Sequence, residues 1–265
     1  MKTSLLISTY NWPEALDICL KSVMEQTVLP AEILVADDGS GESTAKIVEK
    51  YQKISPVPLL HIWHEDNGFE LAKIRNKAIA KASGAYIIQI DGDLILHPYF
   101  IKDHIDFAKE NSFVRASRIY IDEKLSAEKL KNLDISVNPF SRGIANFFSS
   151  FRIPFLWKKF ESNYKISGDE RWEIHGCNMA YWRSDAIEVN GYNEDFKGWG
   201  PEDKEFVARL LNAGKEKRFL KLGGLVFHIF HPVNAKENLK KNEEIFALAK
   251  ENGVKYCENG VSQYL

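Results

Sequence analysis

The stretch Tyr86-Ile87-Ile88-Gln89-Ile90-Asp91-Gly92-Asp93 joins an apolar run with the character of a buried strand to two carboxylates one glycine apart. Its composition predicts a strand over 85–90. Working back toward the N-terminus, strand-like runs over 3–9, 32–36 and 59–63 alternate with segments of helical period over 14–26, 43–51 and 72–82. Four strands separated by helices predict a doubly wound α/β half-sheet. In such sheets ligands sit beyond the carboxyl ends of the strands. The residues at those ends are Thr9-Tyr10-Asn11, Asp37-Asp38-Gly39-Ser40, His64-Glu65-Asp66-Asn67 and Asp91-Gly92-Asp93, so polar groups gather where a ligand would lie.

The chain has 265 residues, 45% hydrophobic and 27% charged, with a formal net charge of −2. These proportions predict a globular protein with a substantial core in one large or two modest domains. They argue against nucleic acid as a partner, since that role needs a net basic face. Cys19, Cys177 and Cys257 lack the spacing of a zinc site or a disulfide framework, which favours a reducing compartment. The N-terminus lacks the pattern of a signal peptide, and no apolar run reaches membrane-spanning length. A cytoplasmic location is the resulting expectation. Aromatic residues make up 12% of the chain.

Downstream, 138–165 interleaves Phe140, Phe147, Phe148, Phe151, Phe155, Trp157, Phe160 and Tyr164 with five basic residues and one acid, a local charge of +4. This texture suits either contact with an anionic membrane surface or lipid-linked acceptor, or a packed helical insert. Beyond it, 173–182 and 224–230 read as strands, 200–214 contains a helix, and 235–252 is a C-terminal helix.

Asp91 and Asp93 bring two carboxylates into one small volume, where a divalent cation would offset their repulsion and could also meet a diphosphate. An Asp-Gly turn capping a strand has the same composition. The run Asp37-Asp38-Gly39-Ser40-Gly41 is no dinucleotide loop, because Thr44 stands at the third glycine position and the run follows the second strand. Its acids suit a nucleobase or ribose, while Ser40 or Ser43 also suits a helix cap. Gly198-Trp199-Gly200-Pro201-Glu202-Asp203 sets an aromatic face for a sugar beside two carboxylates at a helix start. One of those carboxylates can take a proton from an attacking hydroxyl; both also suit the positive end of a helix. His228 and His231, three apart, are candidate ligands for the same metal.

Together these residues resemble the family 2 glycosyltransferases of the GT-A fold. The resemblance rests on Ile7-Ser8-Thr9-Tyr10-Asn11, Leu34-Val35-Ala36-Asp37-Asp38-Gly39-Ser40, Asn76-Lys77-Ala78-Ile79-Ala80 and Asp91-Gly92-Asp93, in that order. Gly176-Cys177-Asn178-Met179-Ala180, Gly191-Tyr192-Asn193-Glu194 and the 198–203 cluster look like the C-terminal module of β-1,4-galactosyltransferases and chondroitin-type polymerases. The resemblance implies a Rossmann-like, mostly parallel mixed sheet flanked by helices. It implies one GT-A domain with a nucleotide-sugar half over 1–110 and an acceptor half over 111–265.

It further implies a donor UDP-sugar held by Thr9, Asn11, Asp37, Asp66 and Arg75, with Asp37 on the base. Mn2+ or Mg2+ would sit on Asp91, Asp93 and His231, with His228 as a second imidazole. Asp203 is then the catalytic base, Glu202 orients the acceptor and Trp199 completes the substrate site. The implied reaction is an inverting transfer of a hexose or N-acetylhexosamine to a saccharide or lipid-linked acceptor, in the cytoplasm or peripherally at the inner face of a membrane. Pro201 stands where the family commonly has glycine, and the Gln-x-x-Arg-Trp signature of processive synthases is missing, which disfavours processive polymerisation. A sugar nucleotidylyltransferase would need a glycine-rich loop after the first strand, where Thr9-Tyr10-Asn11-Trp12 stands. A non-catalytic sugar-binding protein would need neither the acidic metal motif nor the base.

Overall fold

The computed structural model describes residues 1–161, 165–232 and 239–265. The first half runs β1 (Thr3–Thr9), α1 (Pro13–Met24), β2 (Glu32–Asp37), α2 (Glu42–Ile54), β3 (Leu59–Trp63), α3 (Leu71–Lys81) and β4 (Tyr86–Asp91). There follow β5 (Leu94–Leu96), α4 (Phe100–Phe107), β6 (Ser112–Ala116), β7 (Arg118–Tyr120), α5 (Glu123–Asn132) and α6 (Trp157–Glu161). The chain continues through β8 (Asn178–Trp182), α7 (Arg183–Glu188), α8 (Glu202–Asn212), β9 (Glu216–Leu220), β10 (Val226–His228) and α9 (Leu239–Glu251).

A seven-stranded sheet in the order β3-β2-β1-β4-β8-β6-β9 forms the centre. The β3-β2-β1-β4 half is parallel, β8 runs antiparallel to both β4 and β6, and β9 is parallel to β6. Strands covered on both faces need apolar residues at successive positions, and β1 and β2 are buried throughout. Leu5, Ile7, Val35 and Ile88 face Leu16, Leu20 and Val48 of α1 and α2. Leu6, Leu34, Ala36 and Ile87 face Ala72, Ile74 and Ile79 of α3, with Phe206 and Leu210 of α8 in the same core. This confirms the mostly parallel α/β class and the doubly wound half-sheet.

A smaller sheet, β5-β10-β7, packs over α1 and α5 through Ile95, Ile119, Phe227 and Ile18. It carries the histidines toward Asp93. The strand expected over 173–182 is limited to β8, because Gly176 leaves the ladder and its carbonyl accepts from the Gln89 side chain at 3.0 Å. The strand expected over 224–230 shortens to β10 for a similar reason. Gly224 adopts a left-handed φ of +54°, and the Ile229 N–H donates to the Asp93 carbonyl at 3.0 Å.

The aromatic segment is not one helix: it makes two 3-10 turns before the short α6. Trp157 is buried and donates to the Leu222 carbonyl, and Arg152 forks onto Asp103, while Phe148 and Phe155 are 84% and 83% exposed. Tyr164 and the first four residues of the expected C-terminal helix lie outside the described residues. The three cysteines are buried and free, and no described helix is long and apolar enough to cross a membrane.

Candidate active site

The carboxyl ends of β1, β2 and β4 lie side by side, with Thr9 in register with Asp37 and Ser8 with Asp91. Their polar residues therefore share one rim. Asp37 is fully buried and accepts from the Ser40 N–H and from His61 Nε2, each at 2.8 Å. Asn11, at a left-handed φ of +45°, accepts from the Gly41 N–H through Oδ1, and its own N–H donates to Ser40 Oγ. Tyr10 donates to Asp66 at 3.0 Å, and Trp63 Nε1 donates to the Ser40 carbonyl. Gly39 lies against Asp66 at a φ of +96°, where a Cβ would come within 2.6 Å of the Asp66 Cα. These contacts bring Thr9, Asn11, Asp37 and Asp66 together at one strand-end rim.

Arg75, on α3, stands at the centre of the acidic residues. Its Nε donates to Ser8 Oγ at 3.1 Å, Nη2 to Asp91 at 3.1 Å, and Nη1 to Asp203 at 2.8 Å and Glu202 at 3.4 Å. A guanidinium with no exposed surface to speak of is stabilised by three carboxylates, which keep it charged against the cost of burial. Burial, and then Asp203, push the Glu202 carboxyl up to about 8, with Arg75 opposing. Burial also raises Asp91, to about 6, with Arg75 opposing and Asp93 and Asp203 adding to the rise.

Glu202 and Asp203 occupy the first turn of α8, where the helix dipole favours negative charge. Asp203 also accepts from the Tyr192 hydroxyl at 3.3 Å. Its carboxylate lies directly over Gly176, so a Cβ there would overlap it. Asn76 fixes this region to α3, accepting from the Tyr192 N–H at 2.7 Å and donating to the Tyr192 carbonyl. Trp199 lies at the rim, 38% exposed, and its carbonyl accepts from Asn242.

The two aspartates of the Asp91-Gly92-Asp93 turn diverge. Asp91 faces Arg75, whereas Asp93 Oδ2 lies 3.5 Å from His228 Nε2 and 3.3 Å from His231 Nε2. One donor atom from each of Asp93, His228 and His231 falls within 4.8 Å of the others, which suits a single divalent ion. The donor set fits on a second count: among the described residues Asp93 Oδ1 and His228 Nδ1 are buried without hydrogen-bond partners. Burial lowers His228, which favours the neutral imidazole that a metal requires. Asp91 is not in this group. The hydrogen bond to Asp93 raises His231, the more open of the two rings.

Residues 4–189 match the family model "Glycosyl transferase family 2". The chain belongs to that family. Residues 159–232 match a second model, "N-terminal domain of galactosyltransferase". The family 2 chain is 28% identical over 248 residues to the chondroitin synthase of Pasteurella multocida (strain Pm70), covering 89% of this chain and 25% of that protein. Among solved structures it resembles TarS 1–349 from S. aureus in complex with UDP-GlcNAc. There the TM-score is 0.67 and the identity 19%, over 100% of this chain and 69% of that one. A mannosyltransferase from Pyrobaculum calidifontis, in complex with GDP-Man and Mn2+, gives a TM-score of 0.60 at 16% identity over 86% of this chain and 56% of that one. The structural likenesses establish the GT-A type of fold. The chain spans a quarter to a half of the length of the first curated relatives it matches.

Three groups in this site were not singled out as functional from the sequence. Gln89 accepts from the hydroxyls of Tyr181 and Tyr192 at 2.9 and 3.0 Å, and Gly176 makes room for Asp203. The signal for Gln89 was its polarity inside an apolar strand. Tyr192 and Gly176 stood in quoted motifs, but their roles depend on contacts between distant segments.

Proposed function

We propose that this family 2 chain transfers a hexose or N-acetylhexosamine from a UDP-sugar to a hydroxyl of a saccharide or lipid-linked acceptor, with inversion. The observation that carries the reading is the joining of Asp203 to Asp91 through Arg75, beside the Asp93, His228 and His231 donor set. The UDP bound by TarS and the Mn2+ bound by the Pyrobaculum mannosyltransferase support this choice of donor and metal. The cleft at the ends of β1 and β2 takes the nucleotide: Asp37 and Asp66 offer carboxylates to base and ribose, and Thr9 and Asn11 line its floor. Residues 1–110 form the donor half and 111–265 the acceptor half.

Mn2+ or Mg2+ held by Asp93, His231 and His228 would supply positive charge against the negative charge building on the departing diphosphate. Asp91, two positions before Asp93, pairs with Arg75 instead. Asp203, paired with Arg75, takes the acceptor proton as the acceptor oxygen attacks the anomeric carbon. The new glycosidic bond forms on the face opposite the diphosphate as the old bond breaks. Glu202 hydrogen-bonds to the acceptor, and Trp199 stacks on its sugar ring.

Incubation with a panel of UDP-sugars and Mn2+ tests the reaction class. Glycoside plus UDP is the expected product. Pyrophosphate release would instead indicate a nucleotidylyltransferase, and saturable sugar binding without any turnover would indicate a non-catalytic protein. The exposed Phe148 and Phe155, with the basic residues around them, favour a peripheral contact with an anionic lipid surface over a packed insert.

A further inference from the structure

Beside the candidate base lies a separate cavity of about 210 Å3. Arg115, Arg118, Lys165, His175 and Lys221 line it, and no carboxylate is among its described lining residues. All of its lining residues lie beyond residue 111. Arg115 Nη2 lies 2.7 Å from His175 Nε2, and Lys165 lies 3.4 Å from Glu170.

Arg118 is the informative member. Its guanidinium covers the Tyr120 ring at 4.6 Å and donates to Cys177 Sγ at 3.4 Å. Its Nε is buried without a hydrogen-bond partner, and among the described residues it has no ion-pair partner. The surroundings register the excess of positive charge: burial and then Arg115 and Arg118 hold His175 down to about 3, and burial with Lys165 and Arg115 lowers Lys221. A bound anion would offset that repulsion, and guanidinium groups suit planar or tetrahedral oxyanions.

The cavity adjoins the reaction centre through three consecutive residues. His175 forms its wall, Gly176 abuts the Asp203 carboxylate, and Cys177 is held by Arg118.

We infer that this cavity is an anion subsite for the acceptor, taking a carboxylate or phosphate substituent on the sugar whose hydroxyl meets Asp203. The inference rests on the transferase reading given above, and it assigns the acceptor to a chemical class: acidic or phosphorylated saccharides rather than neutral ones.

Direct binding is measured first, with UDP and Mn2+ saturating so that the diphosphate site is filled. Inorganic phosphate and glucuronate are titrated separately into the wild-type chain, Arg118→Gln and Lys221→Gln, with binding read by calorimetry. Saturable binding of one probe, weakened about tenfold or more in Arg118→Gln and also weakened in Lys221→Gln, is expected; the preferred probe separates phosphate from carboxylate. No saturable binding of either, or binding that both variants retain, overturns the site.

The second arm compares KM for a neutral glycoside, its uronic acid counterpart and its phosphorylated counterpart. One anionic acceptor should show a KM about tenfold below the neutral one, and the gap should close in the variants. Equal KM values across the three acceptors overturn the acceptor assignment. Probe binding without turnover of any donor would leave the anion site standing and remove the transferase reading instead. If Arg118→Gln does not fold, Lys221→Gln carries the test.

Discussion

At the scale of residues, Arg75 and Gly176 are the two positions on which the acidic centre depends. Replacing Arg75 by Met leaves Asp91, Glu202 and Asp203 facing one another without their shared cation. Removing one partner of a buried ion pair costs about 3–5 kcal/mol, so Arg75→Met should lower stability by that order in urea unfolding. A loss under about 1 kcal/mol would mean that the carboxylates are solvated, as exposed pairs are. Gly176→Ala tests the close approach to Asp203. The added Cβ would displace the carboxylate, and a catalytic group moved by about 1 Å can cost about a hundredfold in rate. The expected result is a large fall in kcat with donor binding retained; an unchanged kcat would show that Asp203 has no fixed place.

At the scale of elements, α4 is joined to the central sheet by buried polar contacts that should give it a defined acid sensitivity. His104 lies 3.1 Å from Asn178 Oδ1 of β8, and burial lowers it from 6.5 to about 4. Between those values the unfolded chain binds a proton that the folded chain refuses, so stability falls as the pH drops from about 6.5 to 4. His104→Gln removes this share. The stability advantage of the wild type over the variant should shrink by about 3 kcal/mol between pH 7 and pH 4, measured by urea titration at each pH. A pH-independent difference would contradict the account.

The sequence made much of this scale legible. β1, β2 and β4 were readable because burial on both faces demands continuous apolar runs, while the half-exposed edge strand β3 still falls where its β-rich run was marked. The helix over 72–82 is α3, shifted by one residue at each end. The three-residue strands β5, β7 and β10 were not resolved as such, since three residues carry no distinguishable period. The site was partly legible for a related reason. Asp93, His228, His231 and Asp203 belong to polar motifs at element ends, whereas the divergence of Asp91 toward Arg75 is a fact of side-chain direction. The partnership of Gln89 with Tyr181 and Tyr192 spans about a hundred positions and leaves no local pattern.

At the scale of the whole molecule, the proposed donor site, an acidic centre and a basic cavity follow one another along the rim of a single mixed sheet, and the near-neutral net charge conceals their opposite signs. The exposed Phe148 and Phe155 mark the surface expected to meet lipid. Flotation with anionic vesicles at low salt should recover the wild-type chain, and Phe148→Ser with Phe155→Ser should release it; no flotation of the wild type would exclude that surface. The proposed metal site likewise belongs to the assembled molecule, because the turn between β4 and β5, β10 and the residues after β10 each contribute one donor. Chelation should abolish transfer, Mn2+ should restore it, and Asp93→Asn should raise the Mn2+ concentration needed; full activity in chelator would remove the metal from the account. The central claim is that Asp203 takes the acceptor proton. Its most direct test is the transfer rate of Asp203→Asn at saturating donor and Mn2+, with UDP binding measured alongside. The account predicts a fall of about a hundredfold or more with UDP binding retained, and transfer within a few fold of the wild type would contradict it.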